Sequence, residues 1–440
     1  MTLSSPVFSE SKSGSESESE SESQSYSRRN TRYWKRNLAI CVFGSFTTLV
    51  SLTLLLPFLP IYVEELGVKQ NAAIVEWSGI AFGATFLGTG LTAPLWGYLS
   101  DRYGRKPMLV RAAVGMAIVM PLIGLAHNVY ELTALRLVAG IIGGYASSST
   151  LLVATQTPAE KSGWALGVLS TGALAGTLIG PLVGGVLPGL IGIRDTFFVT
   201  GSVIAVAAVV TILFVREDFV PRAHRADAAA AAATDVKKPS GIVIASMFGT
   251  AMLVLFSNMS IEPIITVYLK VLHAPSERVV LDAGIVMAAS ALGSILMAAP
   301  LGRLADRIGG WKVITYCLLA ASILMIPQAF VSEWWQLAIL RFLMGTALAG
   351  LLPSIAKVIR QTVPERALGK VLGYAQSSQY AGQVLGPLAG GALGGLVGMR
   401  SVFILTSGML LCGAVLNKWA QYRMRGGGSV LKLNSKSNSA

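Results

Sequence analysis

The stretch Gly97-Tyr98-Leu99-Ser100-Asp101-Arg102-Tyr103-Gly104-Arg105-Lys106 sits between two long apolar runs. A weaker copy, Gly302-Arg303-Leu304-Ala305-Asp306-Arg307-Ile308-Gly309, sits between two more, about 205 positions later. The same offset carries other pairs. Pro57 and Tyr62 fall on Pro263 and Tyr268, and Arg136 and Gly140 on Arg341 and Gly345. Gly163 and Gly167 fall on Gly369 and Gly373, Gly180-Pro181 and Gly184-Gly185 on Gly386-Pro387 and Gly390-Gly391, and Arg194 on Arg400. One register serves all of them, so the chain is an internal duplication.

The duplicated unit is apolar. Of 440 residues 53% are hydrophobic and 13% charged, with a mean hydropathy of +0.62. A soluble domain carries about 25% charged residues. Twelve apolar runs lie near 38–63, 77–99, 108–126, 130–154, 165–190, 197–215, 241–269, 281–301, 312–330, 334–356, 368–397 and 402–419. Crossing a bilayer takes roughly 20 residues. Backbone groups in lipid must be satisfied within the segment, and no run alternates as a barrel strand would. The expected fold is an all-α polytopic membrane protein with 12 transmembrane helices in two parallel six-helix halves. Residues 38–215 form the first half and 241–419 the second. Residues 1–37, with the Ser15–Glu22 repeat, form a disordered tail; 216–240 form a linker and 420–440 a second tail. The first apolar run is too long for a signal peptide and lacks a cleavage site.

Charge sets the expected orientation. With both termini in the cytoplasm, 28 of the 35 basic residues lie inside and 5 outside. This obeys the positive-inside rule. It also accounts for the net charge of +13 without a nucleic-acid partner. Cys41, Cys317 and Cys412 lie in apolar runs, and His127, His224 and His273 are scattered. Neither set forms a disulfide framework or a metal cluster. No phosphate loop is present, because Gly369-Lys370 is followed by Val371. No cofactor, metal or enzymatic activity is expected, and ATP does not drive the protein directly.

Two parallel halves related by an axis along the membrane normal place a substrate site between them. The motif Gly97, Asp101, Arg102, Gly104, Arg105, Lys106, with Asp306 and Arg307 in its copy, resembles the signature of the major facilitator superfamily. Gly172, Gly176, Gly180, Pro181, Gly184 and Gly185 resemble the motif of its 12-helix drug:proton antiporters. Trp34–Leu38 and Ala154–Gly167 are similar to bacterial multidrug exporters of that group. The resemblance spans about residues 34–419 and leaves the Ser-Glu tail unexplained. It implies a latch in the first motif, which holds one conformation of the halves. In the second it implies a seal against substrate-free leak, and it makes helices 1, 4, 7 and 10 the cavity lining.

Gly172, Gly176, Gly180 and Gly184 recur every fourth residue on one helix face, as do Gly382, Gly386, Gly390 and Gly394. Such faces let backbones approach closely. They read as two interfaces between the halves, kinked at Pro181 and Pro387, that rock. Plain tight packing is the other reading.

Ionisable residues inside a membrane are functional candidates by default. Three stand well inside the runs: Glu262, Arg136 and Arg341. Glu262 is the expected proton carrier, pairing with an arginine in some states. A dry site favours the neutral carboxyl and a guanidinium favours the charged one, so alternating between them loads and releases a proton. A static ion pair at an outer gate, or a kink at Pro263, are the competing readings. Phe58, Tyr62, Tyr145, Tyr268, Gln376, Gln379 and Tyr380 are candidates for the substrate cavity, since aromatic and amide groups suit a broad apolar pocket.

The expected function is proton-coupled efflux of amphiphilic drugs or toxic compounds by alternating access, by a monomer in the bacterial inner membrane. A narrow metabolite or organic-anion transporter is the alternative, since two arginines against one glutamate leave the lining positive. A non-transporting sensor or scaffold would not need gate motifs in both halves.

Overall fold

The computed structural model describes residues 33–217, 241–272 and 278–437, with side chains described at all of these except 159, 365, 366 and 424–437. The tail repeat, His224, His273 and most of the linker lie outside the described residues.

All twelve apolar runs form helices. Eight are continuous: α3 (Asn71–Tyr103), α4 (Arg105–Gly124), α7 (Ser162–Ile191), α8 (Ile193–Phe214), α11 (Val279–Ile308), α12 (Gly310–Gln328), α15 (Glu365–Leu396) and α16 (Met399–Ser437). Four are broken in two, giving α1 (Trp34–Thr53) with α2 (Leu59–Glu65), α5 (Val129–Ile142) with α6 (Tyr145–Gln156), α9 (Gly241–Met259) with α10 (Glu262–Val271), and α13 (Trp334–Leu348) with α14 (Leu351–Thr362). Among the described residues, eleven of the twelve spans are long and apolar enough to cross a membrane. The twelfth, α15, is long enough but carries Gln376, Gln379 and Gln383.

The breaks have local causes. Proline lacks the amide that a helix interior needs. Pro57 interrupts the first span, and Pro263 stands in the first turn of α10. The second break falls at Gly143–Gly144, where Gly144 has φ +108, a conformation that costs glycine nothing. The fourth falls at Ala349–Gly350. Broken helices leave carbonyls without helical partners, and neighbours supply donors. Thr89 donates to Gly140 O (3.2 Å) and Trp96 Nε1 to Ile141 O (2.7 Å). Arg111 Nη2 closes the series on Gly143 O at 2.8 Å. In the second half Ser294 adds a second donor at 3.0 Å to Gly345 O, which already accepts from Ala349 N at 3.1 Å.

One large buried cluster runs through both halves, and within it the local packing repeats. Tyr62 donates to Ile123 O (2.6 Å) and packs on Phe197, 5.4 Å between ring centres. Tyr268 donates to Gln328 O (3.1 Å) and packs on Phe403 at 5.3 Å. The lateral surface is apolar, with Ile118, Val206, Ile323 and Val415 all exposed, as a lipid-facing wall requires. The three cysteines are free, Cys41 and Cys317 buried and Cys412 exposed.

The glycine faces do not lie between the halves. Cβ atoms at Gly180 and Gly184 would overlap Thr53 and the Leu54 carbonyl of the first span. Cβ atoms at Gly386 and Gly390 would press on the Phe256 and Ser260 carbonyls of the seventh. Both faces therefore bind helices within one half. The halves meet on the neighbouring residues instead. Pro181 and Gly185 of α7 touch Gly284 and Leu281 of α11, while Pro387 and Gly391 of α15 touch Gly79 and Val75 of α3. A four-residue spacing reports that a backbone comes close, and does not say whose.

These contacts cluster at one end of the bundle. There Thr266 donates to Pro57 O across the halves at 2.7 Å, and Lys270 Nζ meets Glu64 Oε2 at 2.6 Å. The other end carries Arg102, Arg105, Lys106, Arg303, Arg307 and Lys312 and is called the basic end below. At Gly97, Gly163, Gly167, Gly302, Gly369 and Gly373 no atom of the described residues lies within 4 Å of where a side chain would start. The molecule is closed at one end and open at the basic end.

Candidate functional site

A cavity of about 480 Å³ lies between the halves, within the ~300–1,000 Å³ range of small-molecule sites. Thr53 and Leu56 come from the first span, and Leu174, Thr177 and Pro181 from α7. The second half supplies Asn258, Met259, Glu262, Ser290, Ser294 and Arg341, among others. Apolar surface dominates, with a few hydroxyl and amide groups.

Among the described residues, Glu262 and Arg341 are the two ionisable ones on this wall. The break at Ser260–Ile261 puts Glu262 in the first residue of α10, where the carboxylate meets the positive end of the helix. Its Oε1 accepts from Asn258 Nδ2 at 3.2 Å, while Oε2 is buried without a partner. Arg341 is the eighth residue of α13 and is 1% exposed. Its Nε and Nη1 are buried without hydrogen bonds, and no ion pair with Glu262 forms within 4.0 Å. The two charges share one cavity without joining. The ion pair that bridges the halves at the closed end is Lys270–Glu64.

Arg136 is placed elsewhere. It is the eighth residue of α5, as Arg341 is of α13. Yet it is fully buried inside the first half, and its guanidinium lies 5.6 Å from the Phe82 ring with none of its nitrogens hydrogen-bonded. The cavity lining is thus one carboxylate and one guanidinium, formally neutral rather than positive.

Phe58, Tyr62, Tyr145 and Tyr268 pack in the cores and do not line this cavity. Phe58 makes an edge contact with Phe197, and Tyr145 Oη meets Thr211 Oγ1 at 2.9 Å. The three tyrosine hydroxyls bond carbonyl or threonine oxygens across helix pairs, which fixes the halves internally. Gln376 is exposed on α15, Gln379 is half-buried, and Tyr380 packs on Gly90 of α3 across the halves.

At the basic end, Gly104 caps α3 and α4 together with φ +97, and Gly309 does the same for α11 and α12 with φ +93. Asp101 and Arg102 are exposed. Arg102 reaches Tyr98 Oη at 3.4 Å, and among the described residues Asp101 has no ion pair. Arg307 is exposed, and Asp306 is held by Lys357 at 2.6 Å. Arg105 and Lys106 are half-buried. Their backbone amides donate to Glu217 Oε2 at 2.7 and 2.6 Å. Sequence reading passed over Asn258, Lys357 and Glu217. Asn258 stands four residues before Glu262 on one helix path, a visible signal. Glu217 lies more than a hundred residues from its partners, and no local pattern points to it.

Two homologous helical halves, closed at one end around a cavity with few charges, define a secondary transporter working by alternating access. The chain belongs to the Major Facilitator Superfamily, whose profile matches residues 41–275 and 247–432. It is 40% identical over 390 residues to the Multidrug resistance protein MdtG of Proteus mirabilis (strain HI4320), covering 89% of this chain and 96% of that one. The MdtG protein of Serratia proteamaculans (strain 568) is also 40% identical over 390 residues, covering 89% and 95%. Among solved structures, a bacterial homolog of the human lysosomal transporter Spinster, inward-facing and unoccupied, matches with a TM-score of 0.69 at 16% identity, covering 88% of this chain and 97% of that one. The human organic anion transporter MFSD10 matches with a TM-score of 0.62 at 21% identity, covering 87% and 99%. At those identities the shared property is the fold. The family is one of transporters and not of enzymes, and among the described residues no group of metal-ligating side chains forms.

Proposed function

We propose that the chain exports amphiphilic drugs or toxic compounds in exchange for protons. In this reading it sits in a bacterial inner membrane with the basic end and both termini in the cytoplasm. The structure then stands open to the cytoplasm. The observation that carries the proposal is Glu262, the one carboxylate on the cavity wall, with an unpartnered buried oxygen and Arg341 on the same wall.

Glu262 gives up its proton to the cytoplasm in the open state and then favours a cationic or polarisable amphiphile. Closure of the basic end carries the occupant across. A proton from outside neutralises the carboxylate and releases it. Arg341 shortens the lifetime of the protonated form by stabilising the charged one. The resemblance to MdtG proteins supports this substrate class. The organic-anion alternative loses its main support, because Arg136 is buried in the first half and does not add a second positive charge to the lining.

Reconstituted vesicles with an imposed pH gradient test the substrate class. A set of cationic and neutral dyes is expected to be transported, and a set of organic acids is not. Transport of acids alone would make the chain an anion carrier, and no flux of either would remove the transport reading.

A further inference from the structure

The described residues that leave α8 are tied down firmly. The Arg216 carbonyl accepts from Asn37 Nδ2 at 2.7 Å and from Gln156 Nε2 at 3.1 Å. Its amide donates to Asn37 Oδ1 at 3.3 Å. Asn37 Nδ2 also donates to Gln156 Oε1 at 2.6 Å. Asn37 and Gln156 are 1% and 2% exposed. One backbone position thereby joins the start of α1, the end of α6 and the end of α8.

The next residue adds a fourth helix. The first amides of α4 have no helical acceptor, and its N-cap, Gly104, has no side chain to offer. Glu217 supplies the missing cap through the two amide bonds of Arg105 and Lys106. Its other oxygen lies 3.8 Å from Arg105 Nη1, and its side chain is 5% exposed. A carboxylate at a helix N-terminus, bonded to two amides and near a guanidinium, is a strong, charge-assisted attachment.

We propose that Glu217 is a positioning residue for the latch loop. It clamps the Asp101–Lys106 turn to the first half, so that Asp101 and Arg102 meet the second half as part of a rigid body when the basic end closes. The proposal rests on reading that loop as a latch. The two copies of the loop differ in the way this role demands. The first is held from behind, and its Asp101 is exposed and has no ion pair among the described residues. In the second, Asp306 is already engaged by Lys357. The residues of the clamp are not repeated there: one repeat on from Asn37, Gln156 and Glu217 stand Val243, Thr362 and Arg423. The duplication is thus asymmetric at this point, and one loop is available to latch.

Spin labels on Trp164 of α7 and Leu304 of α11, both exposed toward the basic end, report its opening. Distance distributions are measured on the full chain in lipid nanodiscs, with the three cysteines replaced. Glu217→Ala is expected to lower the closed-to-open ratio by about tenfold or more, as loss of hydrogen bonds to a charged group implies. Asn37→Ala, which loosens Arg216 without touching the loop, shifts it in the same direction, and Glu217→Gln, which keeps an acceptor oxygen, shifts it less than Glu217→Ala. Asp101→Asn is run beside them. If Asp101→Asn shifts the ratio and neither Glu217→Ala nor Asn37→Ala does, the positioning role is wrong while the latch stands. If none shifts it, both fail. A lower melting temperature with an unchanged ratio would assign Glu217 to stability alone and overturn the proposal. If Glu217→Ala does not fold, the Asn37→Ala and Glu217→Gln pair decides.

Discussion

Glu262 and Arg136 are both buried ionisable side chains, yet their surroundings assign them different work. Glu262 stands on a cavity wall with one oxygen bonded to Asn258 and one unbonded. Glu262→Gln keeps the shape and the Asn258 contact but cannot cycle a proton. Its expected result is loss of gradient-driven accumulation with downhill dye exchange retained, read by vesicle flux with and without a pH difference. Arg136 has no hydrogen-bond partner in a sealed core. An uncompensated buried charge costs several kcal/mol. Arg136→Met is therefore expected to keep or raise the melting temperature, read in a detergent melting assay. A marked loss of stability would show that the guanidinium is held by interactions formed in another state.

Pairs of helices carry the rigidity of each half. Cβ atoms at Gly184 and Gly390 would overlap the Leu54 and Ser260 carbonyls, whereas Gly163 and Gly167 face open space. Gly184→Leu forces two backbones apart, and overpacking of this kind costs about 1–3 kcal/mol or more. It is expected to lower the melting temperature and the yield, while Gly163→Ala leaves both unchanged in a detergent melting assay. The element scale is also where sequence reading was strongest and where it stopped. Twelve spans and the offset near 206 were legible, because each follows from local composition or periodicity; a kink at Pro263 stood only as a competing reading, and the break at Pro57 was not read. The partners of the glycine faces were not legible. The pattern in Gly172–Gly184 requires a close neighbour, but the neighbours, Val42 to Leu54, lie 130 residues earlier in the chain (184 − 54) and are fixed by packing. The same limit explains Tyr62 and Tyr268. Their matched positions marked them as important, and their hydroxyls prove to brace helix pairs inside each half. Glu217 was hidden for that reason too.

The whole molecule is held shut at one end by small-residue contacts and two polar ones. Lys270 and Glu64 are 36% and 44% exposed at their side chains, and such pairs are worth ~0.2–1 kcal/mol. Lys270→Ala is thus expected to shift the balance toward opening of that end only slightly, by spin-label distances, whereas Gly284→Leu, set against the Pro181 carbonyl, shifts it strongly. The asymmetry between a weak ion pair and firm backbone contacts says which part of the closed end resists opening.

Coupling is the central claim, and proton movement tests it most directly. Vesicles holding the full chain and an internal pH-sensitive dye are prepared with an acidic interior and the membrane potential clamped. Ethidium, a permanently charged cation that a pH difference alone does not trap, is then added outside. The account predicts that ethidium uptake is accompanied by alkalinisation of the interior, and that Glu262→Gln abolishes this linked proton exit. Ethidium uptake with no change in internal pH, or linked proton exit that survives in Glu262→Gln, would contradict it.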